Sequence, residues 1–276
     1  MSGIDVGGTG TEAAQLRASG ITVTTERGRR VLVDDVGFSV RAGRCVGIVG
    51  ESGSGKSVLL RSVIGLLPDG LRLRSGEVSL DGAALGRRSG SAADPRRAIG
   101  LVLQDPGAAL DPIMTIGAQL SQVRRVLVGS GKRAAAEEAV ELLDRVRLRE
   151  PGRVAGQYPH ELSGGMRQRA SIALALAAGP RFLLCDEPTT ALDVTVQRRV
   201  LELLHTLSVE EGLGIVFVSH DLPVIAEISD DMIVMRHGRV VESGPTGRLV
   251  DAPESDYLQE LVAEARALAN GGDRDR

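Results

Sequence analysis

Gly50-Glu51-Ser52-Gly53-Ser54-Gly55-Lys56-Ser57 decides the fold of this chain. The octet fits the spacing G-x-x-x-x-G-K-[ST]. Bare glycine backbone can fold into a ring of N–H groups that closes on phosphate oxygens. A helix N-terminus behind such a ring adds positive field. At this spacing Lys56 reaches the outer phosphates and the Ser57 hydroxyl completes a Mg²⁺ shell. The plainer alternative is a Gly/Ser turn capped by a stray lysine. The flanks speak against it: Arg44–Gly50 is a short apolar run ending in glycine, and a helix is predicted from Lys56 to about Leu66. Strand, Gly-rich turn and helix make half of a βαβ unit.

Outward from that unit, Ile21–Val23 and Val31–Val40 alternate apolar and polar residues, which predicts antiparallel strands with one wet face. Gly76–Leu80 and Ala98–Gln104 read as short strands with a loop over Arg87–Asp94 between them. From Asp111 to Ala178 strand runs vanish and helical periodicity replaces them, as in Ala134–Val146. An inserted helical subdomain is predicted over Asp105–Gly179. Strand-type runs return at Phe182–Cys185 and Gly214–Val218, with a helix over Val194–Leu207 between them. A hairpin over Met232–Val241 turns at His237-Gly238. An amphipathic helix is predicted over Asp256–Leu268 and a solvated tail over Asn270–Arg276. Such alternation implies an α/β core with a parallel sheet.

Composition narrows the function. At 276 residues the chain suffices for one large domain or a core with a subdomain. Hydrophobic residues are 42% and charged ones 25%, which excludes general disorder. The net charge of −3 argues against a dedicated nucleic-acid binder. The longest apolar run, Ile172–Ala178, is far short of the roughly 20 residues of a membrane span. No signal segment opens the chain, so a cytosolic protein is expected, with Met1–Gly10 frayed. Cys45 and Cys185 are too few for a disulfide framework or zinc site and read as small buried hydrophobes. Lys56 and Lys132 are the only lysines in an arginine-rich chain. The only aromatics are Phe38, Tyr158, Phe182, Phe217 and Tyr257.

Two further segments carry chemistry. Phe182-Leu183-Leu184-Cys185 is followed by Asp186 and Glu187. A buried parallel strand delivers its C-terminal end to the ligand crevice. There Asp186 would hold Mg²⁺ through water and Glu187 would polarise an attacking water. A strand end that merely meets solvent is the simpler reading of the same residues. Leu162-Ser163-Gly164-Gly165-Met166-Arg167-Gln168-Arg169 places a hydroxyl and two glycines at the start of a helix running to Ala178, a second anion-binding N-terminus. Ser163 also suits a plain helix cap.

This ordered set resembles the nucleotide-binding subunit of an ATP-binding cassette (ABC) transporter, over about Leu16–Val250. The resemblance implies a P-loop α/β core with a mostly parallel sheet, an N-terminal antiparallel β subdomain and the helical insertion at about 105–179. It implies a flexible stretch over residues 1–15, a cassette over 16–250, and a C-terminal helix and tail over 251–276. The implied ligands are ATP and Mg²⁺. ATP would lie against Gly50, Glu51, Ser52, Gly53, Ser54, Gly55, Lys56 and Ser57. The signature Ser163, Gly164, Gly165 and Gln168 would touch the nucleotide of a second subunit. Gln104 resembles the glutamine that contacts Mg²⁺, with Ser57 and Asp186, and relays nucleotide state. Ala191-Leu192-Asp193 is similar to the loop that crosses the dimer interface, although Asp193 equally suits a helix cap. Glu187 and His220 resemble the catalytic pair, His220 sensing the γ-phosphate.

Gln104-Asp105-Pro106, Leu110-Asp111-Pro112, Thr115-Ile116-Gly117, Tyr158-Pro159-His160-Glu161 and Leu192-Asp193-Val194-Thr195-Val196-Gln197 resemble the dipeptide/oligopeptide/nickel importer branch. That branch implies two transmembrane permease subunits, a second ATPase, homologous or identical, and an extracytoplasmic binding protein. It implies a peripheral place on the cytoplasmic face, and docking of a permease helix on Asp105–Thr115. Two departures stand out. Val23-Thr24-Thr25-Glu26-Arg27 has no aromatic to stack on adenine, leaving Thr or Val methyls, Arg27 or Arg29. Ala252-Pro253-Glu254-Ser255-Asp256-Tyr257 replaces a His-Pro-Tyr-Thr-like element. The alternatives are an ATPase of the same superfamily in DNA repair or translation, or a non-catalytic cassette. Paired cassettes, a coiled coil or a basic face would mark the former, and intact Lys56, Glu187 and His220 count against the latter.

Overall fold

Leu16, Ala18, Ile21 and Val23 on β1 (Gln15–Thr25) and Val33, Val36, Phe38 and Val40 on β2 (Val31–Arg41) are all buried. The antiparallel register sets Leu16 opposite Val40 and Ala18 opposite Phe38, so the alternation of both strands falls on one face. The computed structural model describes residues 14–26, 28–86, 94–190 and 192–271. The expected frayed start, most of the Arg87–Asp94 loop, Arg27, Ala191 and the last five tail residues lie outside them. The described chain divides into two compact units: residues up to 86 with those from 216 onward, and residues 94–215.

In the first unit β3 (Cys45–Val49), buried throughout, leads into α1 (Lys56–Ile64). The helix stops two residues before the predicted Leu66. Gly65 takes φ 71°, and the Leu66 N–H turns back to the Arg61 carbonyl at 2.8 Å. β4 (Leu71–Leu80) pairs antiparallel with β1 and carries the two-residue β5 (Ala83–Ala84) on its other edge. β4 is twice the length the sequence predicts. Only Val78 and Leu80 of it are buried, and its first half is held by backbone pairing from Thr25–Leu71 onward, which leaves no mark in hydrophobic pattern.

The second unit opens with a 3₁₀ turn (Pro95–Ala98) and β6 (Ile99–Val102), and then holds no further strand up to residue 176 among the described residues. Its α-helices there are α2 (Pro106–Ala109), α3 (Ile116–Val123) running into a π-helical turn at Arg124–Val128, α4 (Lys132–Arg145), α5 (Pro151–Ala155) and α6 (Gly164–Leu176). α4 buries Ala135, Ala139, Leu142 and Leu143, an i, i+4, i+7, i+8 stripe. β7 (Phe182–Asp186) returns parallel to β6, and α7 (Val194–Val209) follows. β8 (Gly214–Ser219), buried along its length, carries the chain back into the first unit.

There α8 (Leu222–Ile228) precedes β9 (Asp231–Arg236), which pairs parallel with β3, and β10 (Arg239–Pro245), antiparallel to β9. The predicted hairpin turn is present: His237 and Gly238 take φ 50° and 80°, the left-handed pair that a two-residue hairpin needs. α9 (Thr246–Asp251) and α10 (Asp256–Gly271) end the described chain. The fold is therefore α/β, with parallel pairings at β3–β9 and β6–β7 and an antiparallel N-terminal sheet. Phe182 and Phe217 are fully buried, and both cysteines are buried and outside any disulfide, as the composition predicts. No helix among the described residues is long and apolar enough to cross a membrane.

α10 is tied down through Glu242 on β10. Its carboxylate accepts from Glu254 N at 3.0 Å, Ser255 N at 2.9 Å and Ser255 Oγ at 2.7 Å. Burial pushes this carboxyl up, but those hydrogen bonds and the Arg248 charge outweigh it and hold it below its ordinary 4.5. A depressed carboxyl stabilises the fold fully above its unfolded value, and the contribution fades as pH falls through the folded value. Glu242→Gln should lower the urea midpoint at pH 7, and its gap from the parent should close as pH drops below 4.5. A gap independent of pH would refute this.

Candidate functional site

The first unit holds the glycine-rich loop where the sequence places it. A Cβ on Gly50 would stand 2.1 Å from the Met235 carbonyl oxygen, and one on Gly55 2.6 Å from that of Leu32. Both positions admit only glycine, because β9 and β2 press their backbone against the loop. Gly238 N donates to Ser54 O at 3.0 Å, so the β9–β10 turn braces the loop as well. Lys56 is buried at 4% exposure. Its ammonium donates to the carbonyls of Gly50 at 2.6 Å and Glu51 at 2.9 Å and lies 3.5 Å from Ser54 Oγ. The lysine is thus desolvated and held over the loop it serves, with neutral acceptors that phosphate oxygens can outbid. Ser57, half-buried, is the second residue of α1. Ser52 and Gly53 are exposed and Ser54 is buried. His220 is exposed directly after β8, and its neighbour Asp221 N donates to the buried Ser219 Oγ at 3.0 Å.

Tyr257 was not singled out in the sequence as a site residue, and the structure puts it at the loop. Its ring is 4% exposed, and its hydroxyl accepts the Glu51 N–H at 3.0 Å. The Arg236 guanidinium lies 4.6 Å from the ring centroid. Burial pushes the phenol pKa up, so the hydroxyl stays protonated at neutral pH. No spacing rule in the sequence links residue 257 to residue 51. In an amphipathic helix a tyrosine reads as one more apolar position.

The second unit carries the acids. Asp186 ends β7 at 1% exposure, and burial with the Asp186 charge pushes the Cys185 thiol far up, which keeps it inert. Glu187 follows in the left-handed region at φ 47°, a conformation non-glycine residues take at a cost. Its Oε2 accepts from Gln104 Nε2 at 3.2 Å and from Thr190 Oγ1 at 2.9 Å. The structure therefore joins Gln104 and Glu187, 83 residues apart, and adds Thr190, which sequence reasoning passed over. Ser163 caps α6, its Oγ accepting from Met166 N at 3.3 Å, and Ser163 and Gly164 are exposed. Gly165 is buried, and a Cβ there would meet Val196 Cγ1 at 2.4 Å. Gln168, on the second turn of α6, is 1% exposed. Asp193 caps α7 through Val196 N at 2.9 Å, beside the 83%-exposed Val194.

Among the described residues no three or more His, Cys, Asp or Glu side chains form a metal cage. Mg²⁺ does not require one: it keeps several waters and takes one or two protein oxygens beside phosphate. The hydroxyl of Ser57, the carboxylate of Asp186 and the amide oxygen of Gln104 are hard donors of that kind. Among the described residues of the first unit, the aromatics Phe38, Phe217 and Tyr257 are all buried, and β1 ends at Thr25, whose Oγ1 accepts Arg30 N at 3.3 Å.

Phosphate loop, acidic strand end and a glycine-rich helix start define an ATP-binding, ATP-hydrolysing cassette. The family model described as "ABC transporter" matches residues 33–190, and this chain belongs to that family. It is 42% identical over 256 residues to "Nickel import ATP-binding protein NikD" of Rhodospirillum rubrum, spanning 92% of this chain and 95% of that protein. Over 246 residues it is 39% identical to "Dipeptide transport ATP-binding protein DppD" of Escherichia coli, 88% of this chain and 75% of that one. Among solved structures, the dimeric post-hydrolysis ATP-binding cassette MJ0796 bound to ADP and Pi matches with TM-score 0.70 and 29% identity, covering 84% of this chain and 98% of its own.

Removing the Tyr257 hydroxyl leaves the Glu51 amide without its acceptor. Tyr257→Phe should cost about 1 kcal/mol in urea unfolding and weaken ATP binding several-fold, with helix content by circular dichroism unchanged. If both affinity and stability match the parent, the phenol–amide bond has no part in shaping the loop.

Proposed function

We propose that this chain is the ATPase subunit of an importer for peptides, nickel or a related small solute, the cargo classes named for its relatives. Residues 16–250 are its nucleotide-binding domain, with 105–179 as the helical insertion and 251–276 as a C-terminal helix and tail. It sits peripherally on the cytoplasmic face of the membrane. There it pairs with a second ATPase, homologous or identical, beneath two permease subunits fed by an extracytoplasmic binding protein. The net charge of −3 fits a chain that does not engage nucleic acid.

Transfer of a terminal phosphoryl group to water demands charge neutralisation and positioning more than covalent chemistry. Lys56 exchanges its loop carbonyls for β- and γ-phosphate oxygens, while the loop amides from Gly50 to Ser57 close around them. Ser57, Asp186 and Gln104 would hold Mg²⁺, which would supply further positive charge beside the phosphates. Glu187 orients the attacking water and takes its proton, and His220 contacts the γ-phosphate. Ser163, Gly164, Gly165 and Gln168 act on the nucleotide of the second subunit, with Asp193 at the same interface. ATP then holds two subunits together, and hydrolysis parts them.

The observation that carries this reading is the Gln104–Glu187 hydrogen bond. It links the water-activating carboxylate to the residue that opens the Asp105–Thr115 segment, where a permease helix would dock. Nucleotide state and membrane partner are thereby one bond apart.

Glu187→Gln keeps the shape and loses the base. ATP binding should persist, turnover should fall by about 100-fold or more, and ATP should accumulate dimers on gel filtration. Surviving hydrolysis would remove Glu187 from the catalytic role. A second expectation concerns adenine. Thr25→Tyr supplies a ring at the end of β1, worth about 1 kcal/mol of stacking, so ATP should bind about fivefold tighter and gain over GTP. Equal affinities for both variants would show that the base is not held there.

A further inference from the structure

In the first unit a cavity of about 690 Å³ lies between the outer edges of two sheets. Among the described residues β2 is hydrogen-bonded to a strand on one side only, β1, and β10 to one only, β9. Residues from Asp34 to Ser39 on β2 and from Arg239 to Ser243 on β10 form the two walls. The walls join at one end. There Asp34 N donates to Gly238 O at 2.8 Å, and the Arg239 guanidinium donates to the Asp34 carboxylate at 2.6 Å. Further along, a register shift between Val240 and Glu242 bulges β10 and leaves Val241 39% exposed at the rim. Two open strand edges thus share one preformed trough.

Its charge has one sign. Four carboxylates line it, those of Asp34, Asp35, Asp231 and Glu242, against the single guanidinium of Arg239, which Asp34 already engages. Asp231 stands 3.4 Å from the exposed Arg44, and Asp35 is exposed. The acids are spread out: no three of them form a metal cage. A complementary ligand therefore carries its positive groups at intervals, not at one point. We propose that this trough docks an extended peptide segment with arginine or lysine at alternate positions, added as a strand on the open edge of β2. In strand addition, main-chain hydrogen bonds give affinity and alternate side chains give specificity. Gly37 offers bare backbone in the β2 wall, and the buried Val46 and Ile233 offer apolar contact to the side chains between the basic ones.

Full-length protein is titrated at moderate salt with a fluorescein-labelled heptapeptide of alternating arginine and valine, followed by anisotropy. One equivalent should bind. The same peptide with N-methyl groups on alternate residues keeps its charge but cannot pair as a strand, and should bind about tenfold more weakly. Asp35→Asn with Val241→Lys should weaken the unmethylated peptide by about tenfold as well. Both positions are exposed, asparagine tolerates the φ of 53° at residue 35, and unchanged circular dichroism checks the fold. Equal binding of the two peptides would overturn the added strand and leave charge attraction alone. Full displacement by spermidine at equal charge would overturn it too, in favour of a small polyamine. An affinity untouched by the paired replacement would show that the peptide binds elsewhere.

Discussion

A buried ammonium held against backbone carbonyls is the constraint around which the first unit is organised. Lys56 sits at 4% exposure with its charge met by Gly50 O and Glu51 O. Desolvating an ammonium is costly unless its donors are used. The loop meets that demand only in one shape, which needs glycine at 50 and 55 where Met235 O and Leu32 O crowd the backbone. β2, the β9–β10 turn and Tyr257 all press on the loop from different parts of the chain. The sheets therefore act as a mould for a short stretch of irregular backbone.

The second unit solves a different problem, that of holding a carboxylate in readiness. Glu187 occupies a strained backbone position and is steadied by Gln104 and Thr190. A strained residue persists only where its surroundings over-determine it. Here the buried β7 fixes one side and the helix cap at Asp193 the other. Strain at this point suits a side chain that must change partners when nucleotide and water arrive.

Much of this was legible because the informative features are local. Phosphate loops, strand-end acids and helix caps depend on residues within a few positions of one another, so spacing alone reports them. Ser163 and Asp193 show the limit of that logic: each caps its helix in the structure, and capping and nucleotide contact call for the same residue types. The first half of β4 shows a second limit, since backbone pairing with β1 needs no hydrophobic side chains.

The sequence by itself determined the α/β class, the phosphate loop with its single retained lysine, and the identity of the acids and signature. Each is encoded in contiguous residues whose chemistry survives removal from context. Only the tertiary structure decided that Gln104 meets Glu187, that Tyr257 holds the Glu51 amide, and that the open edges of β2 and β10 share one cavity. Those contacts join residues tens to hundreds of positions apart. Their distances are set by how helices and strands pack, and spacing along the chain carries no record of that.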